Sequence, residues 1–285
     1  MTVLVGEVEV VPIVELEAGP LIQRLITEAT PARVREIEWL VPSFADRDGN
    51  LRATVQGFLV RSNGTNVLVD TGIGDDKPRA EIPEWSQLRT GFLERLRATG
   101  VEPSDISTVV CTHIHIDHVG WNTSLRDGRW VPTFPSATYV FVREEYEWWT
   151  ADAQRGSPDS RAAFEDSVRP IVEAGLAELV DGKHRLDSSL RLVPTPGHTA
   201  NHVSVAIESA GERGLITGDV LHHPCQLAFP HWSTSADEDP DGAATTRARV
   251  LGEAADAGTL LIGSHFTETP AGLLIREDGG FRLDV

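Results

Sequence analysis

The chain has 285 residues, 40% of them hydrophobic, and a formal net charge of -18 from 25 Lys and Arg against 43 Asp and Glu. That length and apolar share suffice for a full core, and no low-complexity block or long linker interrupts it, so residues 1–285 read as a single domain. The charge disfavours nucleic-acid backbone and anionic membrane as partners, because both are bound through clustered Lys and Arg; a small molecule is the better partner, with the acidic surface serving solubility.

The N-terminal stretch to Glu15 carries acids and no continuous apolar segment of the kind a secretory signal needs, and no apolar run approaches bilayer length. Two cysteines, Cys111 and Cys225, are too few for a disulfide framework. Together these features lead us to expect a cytoplasmic protein. Cys111 reads as a small buried hydrophobe in an apolar strand, whereas Cys225 falls in a loop that can approach a site.

In chain order, β-like runs are expected over 3–14, 56–61 and 66–70, with Ser62-Asn63-Gly64 as a hairpin turn, since Asn-Gly supplies the positive φ angles of a tight turn. A helix is expected over 86–98, with Leu88, Phe92, Leu93 and Leu96 on one face and Gly100 as its stop. Strand 106–111 leads into a histidine run. Helices are expected at 144–151 and 160–174, the second opened by Ser157-Pro158, with Tyr146, Trp148 and Trp149 as packing residues. Further strands fall at 191–194, 203–208, 214–217 and 259–262, with a helix over 241–256 before the last. Four times an apolar strand ends in a His or Asp. Polar residues gathered at strand ends are the product of a layered α/β sandwich with its site along one sheet edge.

The run Thr112-His113-Ile114-His115-Ile116-Asp117-His118-Val119-Gly120 holds three imidazoles and a carboxylate within six positions. In extended backbone alternate side chains share a face, so His113 and His115 project together, and a turn then brings Asp117 and His118 nearby. Imidazole with carboxylate suits zinc or a similar ion, and the donors are too many for one tetrahedral centre. A second ion needs partners, and His198, Asp219 and His265 at later strand ends are the candidates.

With these residues in place, the chain resembles the metallo-β-lactamase superfamily. The family's His-x-His-x-Asp-His motif stands as His113, His115, Asp117 and His118, its Asp-Thr-Gly as Asp70-Thr71-Gly72, its Gly-His as Gly197-His198, its Gly-Asp as Gly218-Asp219, and its late histidine as His265. The resemblance runs from the Asp70 strand to the C-terminal hairpin, and the first fifty residues fit it only loosely. It implies an α/β fold, an αββα sandwich with a dinuclear metal site at the sheet edge. It also implies that His113, His115 and His198 bind one metal, that Asp117, His118 and His265 bind the other, and that Asp219 bridges both.

Two Zn2+ ions are expected, with other divalent transition metals compatible. Two close cations lower the pKa of a shared water and polarise an electrophile, so the implied reaction is hydrolysis. By the same resemblance Asp117 orients the nucleophile and moves its proton. Asp70 either fixes ligand geometry or closes a turn.

Details separate the branches of the family. Its true β-lactamases lack a bridging Asp, its tRNA-processing members need a basic surface, and its glyoxalase II-like members need a basic cluster for glutathione. The stretch Gly218-Asp219-Val220-Leu221-His222-His223, with Pro230-His231-Trp232 and a helix containing Arg247, is most similar to the branch holding methyl parathion hydrolase and the N-acyl-homoserine lactonases. Many lactonases carry a Tyr three residues after the bridging Asp. Here His222 stands instead, either as a catalytic donor to substrate or as a packing residue.

The expected function is therefore a dinuclear zinc hydrolase of lactone, carboxylic ester or phosphotriester, in which a hydroxide shared by the metals attacks. A glyoxalase II-like thioesterase, or a di-iron redox protein on the same fold, is the alternative. Trp121, Phe229, Trp232 and Phe266 are expected either to line an apolar pocket or to be core. A homodimer is a possible assembly.

Overall fold

The computed structural model describes residues 2–151, 156–267 and 270–284. It divides into two compact units: a terminal unit of Met1–Val8, Glu17–Thr54 and Gly182–Val285, and a central unit of Glu9–Leu16 and Val55–Asp181. The first strand, β1 (Val3–Val5), belongs to the terminal unit. The central unit is built on β2 (Val8–Glu17), β3 (Thr54–Ser62), β4 (Thr65–Val69), β5 (Thr108–Val110), β6 (Thr123–Arg126), β7 (Arg129–Pro132), β8 (Thr138–Val142) and β9 (Ala177–Val180).

In the central unit the sheet order is β2-β3-β4-β5-β8-β9, with β6 and β7 a separate hairpin. The pairs β4/β5, β5/β8 and β8/β9 are parallel. Val67, Leu68 and Val69 are all buried, as parallel strands covered on both faces require. Each such side chain contributes roughly 1.5–3 kcal/mol of burial free energy. The register sets Val69 against Val110, so β4 and β5 end level, and the chain leaves the sheet there into Asp70 on one strand and the histidine run on the other. The β3/β4 turn has Asn63 at φ 49° and Gly64 at φ 78°, the two positive angles expected of Asn-Gly.

Several boundaries differ from expectation. The run 3–14 is not one strand, because a turn at Gly6, with φ 59°, divides β1 from β2. A Cβ on Gly6 would lie 2.2 Å from the Ser209 carbonyl oxygen, so no other residue fits. The helix expected over 86–98 is only Phe92–Ala98, since Gln87 and Gly91 take φ of 52° and 74° and interrupt helical backbone. Strand 106–111 shortens to β5 because a capped 3-10 turn, Pro103–Asp105, precedes it. The segment 160–174 is two short helices, Pro158–Ala163 and Arg169–Glu173, joined by a π-helical turn at Phe164–Val168. Ser157 caps the first of them, and Trp149, on helix Arg143–Ala151, stacks on Phe164 at 6.2 Å as a packing residue.

The terminal unit carries β10 (Leu190–Pro194), β11 (Val203–Ser209), β12 (Glu212–Ile216), β13 (Leu260–Ile262), β14 (Ala271–Glu277) and β15 (Gly280–Asp284), paired in that order. Only β12/β13 is parallel among these pairs. Its crossover is the helix Pro240–Ala257, opened by Asp239 accepting from the Gly242 amide and closed by Gly258 at φ 60°. Register pairs Ile216 with Ile262, so Gly218-Asp219 and Gly263-Ser264-His265 leave the sheet side by side. Among the described residues no helix is long and apolar enough to cross a membrane.

Candidate metal centre

In the central unit Asp70 is the first residue past β4 and sits at φ 57°, a left-handed conformation that Asp tolerates. Its carboxylate accepts from the Thr112 amide at 2.8 Å and the Thr112 hydroxyl at 2.9 Å, and it meets His118 Nδ1 at 2.8 Å. Asp70 thus fixes both ends of the histidine run. The His113 ring lies 4.5 Å from His115 and 4.2 Å from His118, centroid to centroid, while His118 Nε2 lies 3.8 Å from Asp117 Oδ1.

Backbone bonds lock this run to the Asp-Thr-Gly loop: Thr71 N to His118 O, Gly120 N to Gly72 O, and Trp121 N to Thr71 O. The approach is so close that a Cβ on Gly120 would lie 1.8 Å from the Ile73 oxygen. A Cβ on Gly72 would meet Glu15 Oε2 at 2.1 Å, so both glycines are steric requirements.

Glu15, 2% exposed, accepts from the amides of Ile73 and Gly74, the Trp121 indole and the Thr90 hydroxyl. Burial outweighs those four bonds and raises its pKa from 4.5 to about 7. The folded form therefore keeps this proton where the unfolded chain has released it. The stability contributed by Glu15 is full below about pH 4.5 and declines as the pH climbs to about 7. In urea titrations across pH 5 to 7.5, Glu15→Gln is expected to remove a falling component seen in the wild type; parallel pH profiles for the two proteins would contradict this.

In the terminal unit Gly197 takes φ 137°, and a Cβ there would lie 2.4 Å from Ala243 backbone, which explains the glycine before His198. His198 Nδ1 meets Asp237 Oδ1 at 2.8 Å, and the other Asp237 oxygen accepts from the Thr234 amide. Burial raises the Asp237 pKa, but the hydrogen bond from His198 leads the contacts that outweigh it, and the net value falls to about 2. His265 Nδ1 meets the Thr54 carbonyl at 2.9 Å.

The Asp219 backbone amide donates to His202 Nε2 at 2.9 Å, which anchors the main chain there, and its carboxylate lies among three imidazoles. Its Oδ2 lies 3.4 Å from His198 Nε2 and 3.1 Å from His222 Nε2, and its Oδ1 lies 3.1 Å from His265 Nε2. The His222 and His265 rings stack in parallel at 5.6 Å. His222 Nδ1 is buried without a hydrogen-bond partner among the described residues, and burial holds this imidazole below its ordinary pKa.

These donors fit a metal. His118, His198 and His265 each direct Nδ1 at an oxygen that only accepts, so Nδ1 carries the hydrogen and Nε2 keeps its lone pair. Lone pairs of His198 and His265 then face carboxylate oxygens at 3.1–3.4 Å, a repulsive arrangement without a cation between them. Adjacent ligands of a tetrahedral zinc with bonds of ~2.0–2.1 Å stand about 3.3 Å apart.

The structure gathers His113, His115, Asp117 and His118 in the central unit, and His198, Asp219, His222 and His265 in the terminal unit. Trp121, Trp232 and Phe266 are buried core, at 5%, 0% and 0% exposure, and Phe229 stacks half-buried on Trp232. Cys111 and Cys225 are both buried, and Cys225 opens the helix Cys225–Ala228 instead of lying in an open loop. Burial pushes both thiols far up in pKa, which makes nucleophiles of neither.

Sequence reasoning missed Asp237, His202, the Thr54 carbonyl and Glu15. Only Glu15 left a trace, as an acid in period-2 register with the buried face of β2 that holds Ile13.

The family model for the metallo-β-lactamase superfamily matches residues 54–265, and the chain belongs to that superfamily. Over 193 residues, 63% of this chain and 67% of the relative, it is 27% identical to the N-acyl homoserine lactonase AttM of Rhizobium radiobacter. To the AttM lactonase of Azorhizobium caulinodans it is 29% identical over 53% of this chain and 54% of the relative. The matched stretch thus spans about half to two thirds of these relatives' length.

Among solved structures, the dizinc quorum-quenching lactonase AidC, in complex with a product, superposes with TM-score 0.79 at 21% identity, covering 100% of this chain and 96% of that one. The hydrolase AbOPH of the β-lactamase superfamily gives TM-score 0.80 at 20% identity over 99% and 95% of the two chains. At these identities the likeness establishes the metallo-β-lactamase fold.

Proposed function

We propose that this protein is a single-domain, two-zinc hydrolase that opens the ring of N-acyl homoserine lactones. The observation that carries the reading is the set of histidines whose Nδ1 atoms are anchored on oxygen while Nε2 faces carboxylate. In the proposed centre His113, His115 and His198 hold one ion, Asp117, His118 and His265 the other, and Asp219 serves both. Bound there, the pair of ions supplies Lewis acidity and an acidified water. The substrate class is supported by the lactonase relatives named above.

Asp117 and Asp219 divide the carboxylate work. The Asp117 side chain is 13% exposed against 3% for Asp219. Asp117, the more exposed of the two, is the proposed general acid and base, and Asp219 the proposed ligand shared by both ions. His222, with Nε2 3.1 Å from Asp219 Oδ2 and Nδ1 without a partner among the described residues, is the proposed catalytic contact to substrate.

The test is a kinetic panel on the zinc-reconstituted protein: an N-acyl homoserine lactone, a simple lactone, an aryl ester, a phosphotriester and a thioester. We expect the acyl-homoserine lactone to lead in kcat/KM by at least ~10-fold, equal to about 1.4 kcal/mol of transition-state discrimination. A leading phosphotriester or thioester rate overturns the substrate assignment. Elemental analysis of the same preparation tests the metal, and sedimentation and cell fractionation test the homodimer and the cytoplasmic location that complete the proposal.

A further inference from the structure

We propose that Arg247 is a positioning residue for the metal ligand His198, acting through Asp237; this rests on the metal reading above. Arg247 lies on the helix Pro240–Ala257 and is fully buried, and a buried guanidinium is tolerated only when paired and hydrogen-bonded. Its Nε donates to the Val220 carbonyl at 2.7 Å, and Nη1 donates to those of Pro230 at 2.9 Å and Trp232 at 2.6 Å. Nη2 lies 3.7 Å from Asp237 Oδ2, a charge contact between two side chains with no exposure. Asp237 in turn holds His198 Nδ1. One cation therefore ties the residue following Asp219 and the carboxylate that orients His198 to the same helix.

Three ligand histidines are anchored in three ways. His265 leans on a neutral carbonyl, His118 on a carboxylate that is also bonded by the Thr112 amide and hydroxyl, and His198 on a carboxylate facing a buried arginine. The consequence is one of geometry: Arg247, held by three backbone carbonyls, faces Asp237 Oδ2 and keeps that carboxylate in place, so the other oxygen stays on His198 Nδ1 and the ring keeps the orientation that aims Nε2 at the metal position.

The experiment measures zinc affinity by chelator competition, and the absorption spectrum of the cobalt-substituted protein, for wild type, Asp237→Asn, Arg247→Met, Arg247→Lys and the Lys/Asn double variant. Removal of an outer partner of this kind costs roughly 10–100-fold in metal affinity, and that loss is expected for Asp237→Asn and Arg247→Met, with a shifted cobalt spectrum. Arg247→Lys keeps the charge and loses the fork, so it is expected to lose less than tenfold and to add nothing in the Asp237→Asn background. A purely structural arginine would lower the melting temperature of the metal-free protein and leave affinity and spectrum unchanged. Wild-type affinity in folded Arg247→Lys, or losses that add fully in the double variant, overturns the proposal, and Arg247→Lys decides the matter should Arg247→Met fail to fold. Failure of the wild type itself to bind zinc or cobalt counts instead against the metal reading.

Discussion

Asp219→Ala is expected to lose metal and hydrolytic activity together, by more than the roughly 10–100-fold that loss of an outer partner costs. The reason is its position: each oxygen faces at least one imidazole Nε2, and no other carboxylate of the terminal unit is placed within that ring of histidines among the described residues. Deleting it takes the anion away from three converging ring nitrogens. Asp219→Asn separates charge from shape, because the side-chain volume survives while the anion does not; the backbone bond to His202 is kept in both variants. Metal content by elemental analysis and kcat/KM should fall in both variants, and a fully metallated, fully active alanine variant would remove Asp219 from the centre.

Stripping the metal is expected to lower the melting temperature by about 8–16 °C. An ion that binds only the folded state, present at a thousand times its dissociation constant, stabilises by about 4.1 kcal/mol. For a chain of this size each kcal/mol shifts the midpoint by about 2–4 °C. Calorimetry on holo, chelated and zinc-restored protein checks this, with recovery on adding zinc as the control for damage. An unchanged midpoint after verified removal would mean that the histidines do not hold their metal in the folded state.

The central histidine run was legible because its donors fall within six positions, although past Val110 the backbone bends and turns instead of staying extended, and it is this loop that brings the His113 ring to 4.5 Å from His115 and 4.2 Å from His118. Asp70, His198, Asp219 and His265 were legible as strand ends, since an apolar run stopped by Gly and a polar donor reads from composition alone. The failures were of a different kind. Helix 86–98 lost its first half to positive φ at Gln87 and Gly91, and the run 3–14 was broken at Gly6 by the approach of Ser209. Local pattern carries no information about a backbone oxygen 203 residues away.

What the sequence by itself determined is the family, and it offered a set of candidate donors, because both are read from residue types in short motifs. What only the tertiary structure decided is the state of those donors. Asp237 stands 39 residues from His198, the Thr54 carbonyl 211 residues from His265, and Asp70 48 residues from His118, yet each supplies the acceptor that fixes a ring hydrogen. Which nitrogen keeps its lone pair is set by a hydrogen bond made across strand ends, and strand register brings Asp219 and His265 to the same level. Register is a property of paired chains, so the tautomers of this site exist only once the sheets have formed.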